Sequence, residues 1–78
     1  MPLYFFNIEH GLGVLRDEEG SYLPDLDAVR EEATEAARQI ISQSLLIGRD
    51  SDGRKFVITD EAGSIVLEFD FKDAILPG

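Results

Sequence analysis

The sequence contains no cysteine and no tryptophan, and it has only one histidine. Without cysteine the chain has no disulfide, no thiol nucleophile and no cysteine-ligated zinc. A chain of 78 residues buries only about 60% of the surface that its unfolded form exposes, so its stability is marginal without crosslinks. The length predicts a single domain over residues 1–78. The lack of cysteine is compatible with a reducing cytoplasm, which is the predicted location.

Long apolar runs and basic residues are also scarce. No stretch approaches the about 18 consecutive apolar residues that a membrane-spanning helix needs. The N-terminal MPLYFFNIEH lacks the basic flank and the cleavage site of a signal peptide. Seven basic residues against sixteen acidic ones give a net charge of −9, which repels a phosphate backbone. The composition therefore predicts neither a membrane nor a nucleic acid as a direct partner.

Alternating apolar residues predict a hairpin at each end of the chain. In LYFFNIE one face holds Tyr4, Phe6 and Ile8, and the glycines of HGLG favour a tight turn, so the first hairpin is predicted at about 3–17. The second hairpin is predicted at about 54–71, in KFVITD and SIVLEFDF. Its inward residues are predicted to be Phe56, Ile58, Ile65, Leu67, Phe69 and Phe71, and its outward residues Val66, Glu68 and Asp70.

Between the hairpins, residues 26–47 have the period of an amphipathic helix. The predicted apolar stripe consists of Leu26, Val29, Ala33, Ala36 or Ala37, Ile40 and Ser44 or Leu45, and Gly48 is predicted to end the helix. The order β-β-α-β-β predicts an α+β fold, in which one long amphipathic helix packs on one face of a four-stranded, largely antiparallel sheet. The sequence does not determine the strand order, although the apolar first and last strands favour central positions.

The segments RDEEGS and TDEAGS share the pattern D-E-x-G-S. The pattern predicts a type I turn with a glycine bulge, in which Asp17 or Asp60 accepts backbone N–H groups and Gly20 or Gly63 takes a positive φ. Asp25 follows a proline and precedes the helix, so it is predicted to cap the first helical turn. These local roles account for most of the acidic residues near the start of the helix.

The same acidic segment raises two functional alternatives. Eight of the sixteen acidic residues lie between Asp17 and Glu35, where Arg30 is the only basic residue, and such a patch either attracts a basic partner or serves solubility. A small carboxylate- or metal-dependent hydrolase is the enzymatic alternative, and its candidate residues are Asp17, Glu18, Glu19, Asp25 and His10. No nucleophile elbow, phosphate loop or dinucleotide motif is present. We therefore assign no catalytic, cofactor-binding or metal-binding residue from the sequence.

Apolar residues on the second face of the predicted sheet are the stronger functional signal. This face is predicted to hold Leu3, Phe5, Val57 and Val66, which suggests a homodimer formed through the back or the edge of the sheet. The alternative is that the four are half-buried among Asn7, Lys55, Thr59 and Glu68. The candidate interaction surface also includes the acidic residues Glu18, Glu19, Glu31 and Glu35. The predicted function is a noncatalytic module that associates with itself or with a protein partner.

The sequence YFFNIEHGLGVLRDEEGSYLPDLDAVREEATEAAR resembles a bacterial family of small proteins that is known as a domain of unknown function. The family pattern runs Y-x-F, a variable turn, D-x-E-G-x-x-L-P-D-L and an alanine-rich helix ending in A-R. The matching positions here are Tyr4, Phe6, Asp17, Glu19, Gly20, Leu23, Pro24, Asp25, Leu26, Ala36 or Ala37 and Arg38. DGRKFVITDEAGSIVLEFDF is similar to the family's second hairpin. This resemblance implies no activity. A hairpin followed by an alanine-rich helix is also similar to the antitoxin halves of toxin–antitoxin pairs, although this sequence lacks a recognisable DNA-binding segment. Capture of a basic ribonuclease in a pulldown would support this antitoxin-like alternative.

Overall fold

A computed structural model describes residues 1–46 and 53–74 of the chain. The elements, in chain order, are β1 (Leu3–His10), β2 (Gly13–Leu15), β3 (Ser21–Tyr22), α1 (Leu26–Leu46), β4 (Lys55–Thr59), β5 (Ile65–Asp70) and a 3₁₀-helix (Phe71–Ala74). The predicted α+β class, with one long helix packed on a sheet, is confirmed. Gly48, the predicted end of the helix, lies outside the described residues.

The strands form one antiparallel sheet with the order β2-β1-β4-β5. β1 and β4 are therefore central, whereas β2 and β5 lie at the two edges of the described sheet. The expectation that the first and last strands are both central is correct for β1 and wrong for β5. The apolar side chains of β5 are buried in another way, since Phe69 and the following Phe71 pack in the core that α1 covers.

The strand β3 is a fifth strand that the sequence did not predict. β3 pairs with the beginning of β1 on the same edge as β2, and the register joins Ile8 to Leu15 in β2 and Leu3 to Tyr22 in β3. Beyond β3, the Leu23 N–H continues along this edge by donating to the Pro2 carbonyl (3.0 Å). Residues 16–20, here called the edge loop, therefore interrupt one long edge strand. The β1–β2 hairpin itself pairs as far as Leu15, and β3 adds pairing beyond the hairpin predicted at about 3–17.

A bulge in β5 reverses the predicted orientation of two residues. Leu67 pairs with Ile58, but Thr59 pairs with Ile65, so that Val66 is the extra residue between the two pairs. One extra residue shifts the alternation of side chains by one position. Val66 consequently packs against the core, and Ile65 is 59% exposed on the other side of the sheet. The prediction that Ile65 points inward and Val66 outward is wrong for this reason.

The core lies between α1 and one face of the sheet. Its buried members are Tyr4, Val29, Ala33, Ala37, Ile41, Phe56, Ile58, Phe69, Phe71 and Ala74. Two small alanines in the middle of the helix allow it to lie close to the sheet. The ring of Phe56 contacts Phe6 edge-on with centroids 5.7 Å apart and Phe71 at 4.8 Å. Aromatic pairs at these separations stabilise the core by about 0.5 to 1.5 kcal/mol each beyond the area that they bury.

Two polar contacts hold the helix α1, one at its N-terminus and one further along it. The Ala28 N–H donates to Asp25 Oδ1 (2.8 Å), which is the contact expected of a helix N-cap and stabilises a helix by about 1 kcal/mol. Further along α1, Arg38 Nε donates to the carbonyl of Ala74 (2.9 Å). This bond ties the helix to the 3₁₀-helix that follows β5. Leu26, predicted to lie on the apolar stripe, is 49% exposed at the first residue of α1.

Candidate functional site

The carboxylate of Asp17 holds the edge loop against β1. Its Oδ2 accepts the Phe6 N–H (3.0 Å), while Oδ1 accepts the N–H groups of Glu19 (3.2 Å) and Gly20 (3.1 Å). The Phe6 N–H points towards the edge of β1 where β2 has ended, so the carboxylate replaces the carbonyl of a missing strand partner. Asp17 therefore has a role beyond turn formation, because it closes a gap in the sheet.

Asn7, the next residue of β1, also holds the edge loop against the sheet. Its Oδ1 accepts the Asp17 N–H (3.0 Å), and its Nδ2 donates to the carbonyl of Val57 (3.1 Å) and to Thr59 Oγ1 (3.5 Å). A single side chain thus connects the edge loop, β1 and β4. Asn7 was predicted only as a polar neighbour of the apolar residues, and the sequence contains no signal for this bridge.

The second D-E-x-G-S segment connects β4 to β5 as a hairpin turn. Asp60 Oδ1 accepts the N–H groups of Ala62 (2.9 Å) and Ser64 (3.0 Å), and Gly63 has a φ of +86°. Backbone bonds close the turn, since the Gly63 N–H donates to the Asp60 carbonyl (3.0 Å). The carboxylate of Asp60 has no contact with another strand among its described bonds.

The face of the sheet opposite α1 is here called the back face. Its apolar members are Leu3, Phe5, Val14, Tyr22, Val57 and Ile65. Its polar members are Asn7, Glu9, Arg16, Lys55, Thr59, Glu68 and Asp70. Within residues 1–46 and 53–74 no helix covers this face, because α1 and the 3₁₀-helix both pack on the core side. Tyr22 is 64% exposed, Ile65 59% and Val14 54%.

A shallow cleft of about 410 Å³ crosses the back face. Phe5 and Val57 supply apolar lining, and Asn7 and Thr59 lie beside them. Its rim includes Arg16, Asp17 and Gly63, so both D-E-x-G-S segments border it. The lining is therefore mixed, because apolar and polar residues alternate across the cleft.

The structure divides the predicted interaction surface between two sides of the molecule. Leu3, Phe5 and Val57 lie on the back face, whereas Val66 packs against the core on the opposite side. Glu18 and Glu19 are exposed in the edge loop. Glu31 and Glu35 are exposed on α1, which lies on the side of the sheet away from the back face. The acidic helix and the apolar back face are therefore separate surfaces.

Charges on the back face are concentrated around one lysine. Lys55 Nζ forms an ion pair with Glu68 Oε1 at 2.6 Å. The hydrogen bond and the charge of Glu68, followed by the charge of Glu9, raise the pKa of Lys55, and Asp70 adds to the effect. Three carboxylates thus surround a single ammonium group. Arg16 lies across the face from them, is exposed, and forms no ion pair with the described residues.

Comparison with known proteins identifies the family. The model of the domain of unknown function DUF6894 matches residues 3–72. The chain belongs to the DUF6894 family. No curated protein and no solved structure matches this DUF6894 domain. The matched range begins with β1 and includes the edge loop, the helix and both C-terminal strands, so the elements that form the back face all lie inside it.

The carboxylates proposed for a hydrolase do not gather in the DUF6894 domain. Asp17 and Asp25 accept backbone N–H groups in two different local contacts. His10 ends β1, where its Nδ1 accepts the Leu12 N–H (3.2 Å). In the part of the chain that the structure describes, no three acidic or histidine side chains are arranged to hold a metal ion. Over the same residues, no helix combines the length and the apolar character needed to cross a membrane.

Sequence reasoning missed three exposed members of the back face, which are Val14, Tyr22 and Ile65. One signal was available for Tyr22: β1 has eight residues, and the predicted return strand was too short to pair with all of them. The partner of Leu3 therefore had to lie further along the chain. Ile65 had no such signal, because its orientation depends on a bulge that only the pairing of β4 with β5 defines.

Proposed function

We propose that this DUF6894 domain is a noncatalytic association module whose working surface is the back face, and that the occupant of this face is a second copy of the chain. The observation that supports the proposal is the apolar content of a face that no described helix covers. Leu3, Phe5 and Val57 form its half-buried centre, and Val14, Tyr22 and Ile65 are more than half exposed around them. Exposed apolar side chains that share one open face are typical of association sites.

The size of the face agrees with a weak dimer. Strands of two to eight residues, about 4.8 Å apart and at about 3.3 Å per residue, together cover roughly 400 Å². Two copies would bury roughly 800 Å² in total, which is below the size of a standard interface and in the range of weak association. The shortest dimension of the molecule is 17 Å, and a two-layered unit of this size has a small core. Apolar surface buried in a dimer would therefore add substantially to the core of each copy. We therefore expect a dimer with a dissociation constant of about 1 to 100 µM.

Sedimentation velocity or light scattering from about 1 µM to about 1 mM tests this proposal. The wild-type chain is expected to change from monomer to dimer over this range. Val57→Lys places a charge at the centre of the back face and is expected to shift the transition at least about tenfold towards higher concentration. Leu12→Lys is the matched control, because Leu12 is 97% exposed at the β1–β2 turn and is not part of the back face.

The control variant is expected to dimerise like the wild type. Circular dichroism and thermal melting check that Val57→Lys keeps the fold, since Val57 is only half-buried and its side chain points away from the core. A wild-type chain that stays monomeric up to about 1 mM would contradict the proposed function. Equal weakening of the dimer by both lysine variants would show that added charge, and not the back face, controls association.

A further inference from the structure

We propose that the two copies pack back face to back face about a two-fold axis that runs along the strands between β1 and β4. Arg16 of each copy then pairs with Glu68 of the other. This inference rests on the proposed function and specifies how the second copy is recognised. The order of charges across the sheet, which the strand register defines, supports this axis.

Residues that lie side by side on neighbouring strands form rows across the back face. The row that contains Val57 has opposite charges at its two ends. Asn7 pairs with Val57, and Val57 pairs with Glu68. On the other edge, Arg16 follows Leu15, the partner of Ile8, so it lies next to Asn7 and lines the same cleft. The row therefore reads arginine, asparagine, valine, glutamate from one edge of the sheet to the other.

A two-fold rotation about an axis along the strands exchanges the two edges of the sheet. The β2 edge of one copy then faces the β5 edge of the other, and the same contact occurs twice by symmetry. Arg16 consequently faces Glu68 of the second copy at both ends of the row. An axis in the same plane but perpendicular to the strands would instead place each edge opposite itself, with Arg16 facing Arg16.

The neighbouring row supports the same axis independently. Glu9 pairs with Lys55 within the sheet, on the two strands between which the axis passes. The rotation therefore places Glu9 of one copy opposite Lys55 of the other, and this contact also occurs twice. Two adjacent rows thus each place opposite charges facing one another with a single choice of axis, while Val14 comes to lie opposite Asp70. Aligned face-to-face packing of sheets tolerates this arrangement, since the strands of the two sheets then cross at a small angle.

The negative charges around Lys55 favour the contact between Arg16 of one copy and Glu68 of the other. Glu68, Glu9 and Asp70 all act on the ammonium group of Lys55, so three negative charges lie around this lysine on the back face. Arg16 of the second copy would bring a guanidinium to Glu68, whose side chain is 52% exposed beside its pair with Lys55. Arginine suits this role because its planar group donates several hydrogen bonds to one carboxylate.

Charge exchange between Arg16 and Glu68 is the test, with dimerisation measured by sedimentation velocity in low salt. Arg16→Glu and Glu68→Arg are each expected to weaken self-association about tenfold, because two attractive pairs become two repulsive ones. An equimolar mixture of the two variants is expected to form a heterodimer about as stable as the wild-type dimer, since each contact then again joins an arginine to a glutamate. Increasing the salt concentration should reduce these differences.

Arg30→Glu is the matched control for net charge, because Arg30 is exposed on α1 and lies on the other side of the sheet. It is expected to change the dissociation constant less than about threefold. Thermal melting of each variant checks that the monomer remains folded, which matters for Glu68→Arg because it also removes the pair with Lys55.

The outcomes separate this inference from the proposed function. Recovery of the heterodimer in the mixture, with a weak effect of Arg30→Glu, supports the two-fold arrangement. A stable wild-type dimer that Val57→Lys disrupts, but that neither charge variant weakens, overturns the arrangement and leaves the proposed function standing. Two weakened variants whose mixture does not recover also overturn it. A monomeric wild-type chain rejects the proposed function and this inference together.

Discussion

Two segments of this molecule have nearly the same five residues and different places in the sheet. Residues 17–21 read DEEGS and interrupt an edge strand, whereas residues 60–64 read DEAGS and form a hairpin turn. Their local bonding is alike: each aspartate Oδ1 accepts two backbone N–H groups a few residues ahead, and each glycine has a φ near +80°, being +75° in one and +86° in the other. The pattern therefore specifies a local bend, and it does not specify which strands flank that bend.

The two segments differ in the contacts that their aspartates make with other strands. Asp17 Oδ2 accepts the Phe6 N–H from β1, and the Asp17 N–H donates to Asn7. Asp60 has no equivalent contact with a third strand among its described bonds. One segment is thus built into the sheet, and the other only joins two neighbouring strands. Substitutions in the first segment should consequently cost more than the same substitutions in the second.

Removal of the aspartate side chain is expected to give the largest difference in stability between the two segments. Asp17→Ala leaves three backbone N–H groups without an acceptor, one of them in a central strand, and should lower the free energy of unfolding by about 2 to 3 kcal/mol. Asp60→Ala affects two exposed N–H groups and should cost about 1 kcal/mol. Urea denaturation measures both values. Equal losses would show that the Phe6 contact contributes nothing.

Alanine substitution of Gly20 and Gly63 should give the second-largest difference in stability between the two segments. Both positive φ values disfavour alanine, which costs about 1 kcal/mol at Gly63, where a Cβ would meet no atom within 4 Å. At Gly20 the Cβ would lie 2.8 Å from Leu3 Cδ1 and 3.1 Å from the Tyr4 carbonyl oxygen. We expect Gly20→Ala to cost about 2 kcal/mol, because these atoms must also move. Thermal melting compares the two variants, and a smaller loss at position 20 would contradict the close packing.

The link between Asn7 and Asp17 should give a measurable coupling. Asn7→Ala is expected to lower the free energy of unfolding by about 1 kcal/mol through loss of its bonds to the edge loop and to β4. The double variant with Asp17→Ala should cost less than the sum of the single variants by about 0.5 to 1 kcal/mol, since both substitutions release the same loop. Strict additivity would mean that the two side chains act independently. Asp60→Ala combined with Asn7→Ala is the control pair and should be additive.

The smallest effect is expected from making the two segments identical. Glu19→Ala converts DEEGS into DEAGS, and the Glu19 side chain is exposed and makes none of the described contacts. The free energy of unfolding should change by less than about 0.5 kcal/mol. Hydrogen exchange should show that the Phe6 amide remains protected. Loss of this protection would mean that residue 19, and not the surrounding sheet, keeps residues 16–20 from forming an ordinary hairpin turn.

Local features of the fold were predictable because their causes lie within a few residues. The apolar period of residues 26–46, the Asp25 cap and the alternation in β1 and β4 all follow from neighbouring side chains. The candidate site was predictable only in part. Leu3, Phe5 and Val57 follow from simple alternation, but Val66 and Ile65 exchange sides at the bulge.

By itself, the sequence determined the long helix, the strands β1, β2, β4 and β5, the positions of the bends and the apolar character of both faces of the sheet, since each depends on contacts between near neighbours. The tertiary structure alone decided that β3 returns to the beginning of β1, that Asp17 fills the gap beside Phe6, and that the acidic helix lies away from the back face. It also placed Arg16 and Glu68 at opposite ends of one row. These features depend on strand register, which residues far apart in the chain fix together when the sheet forms.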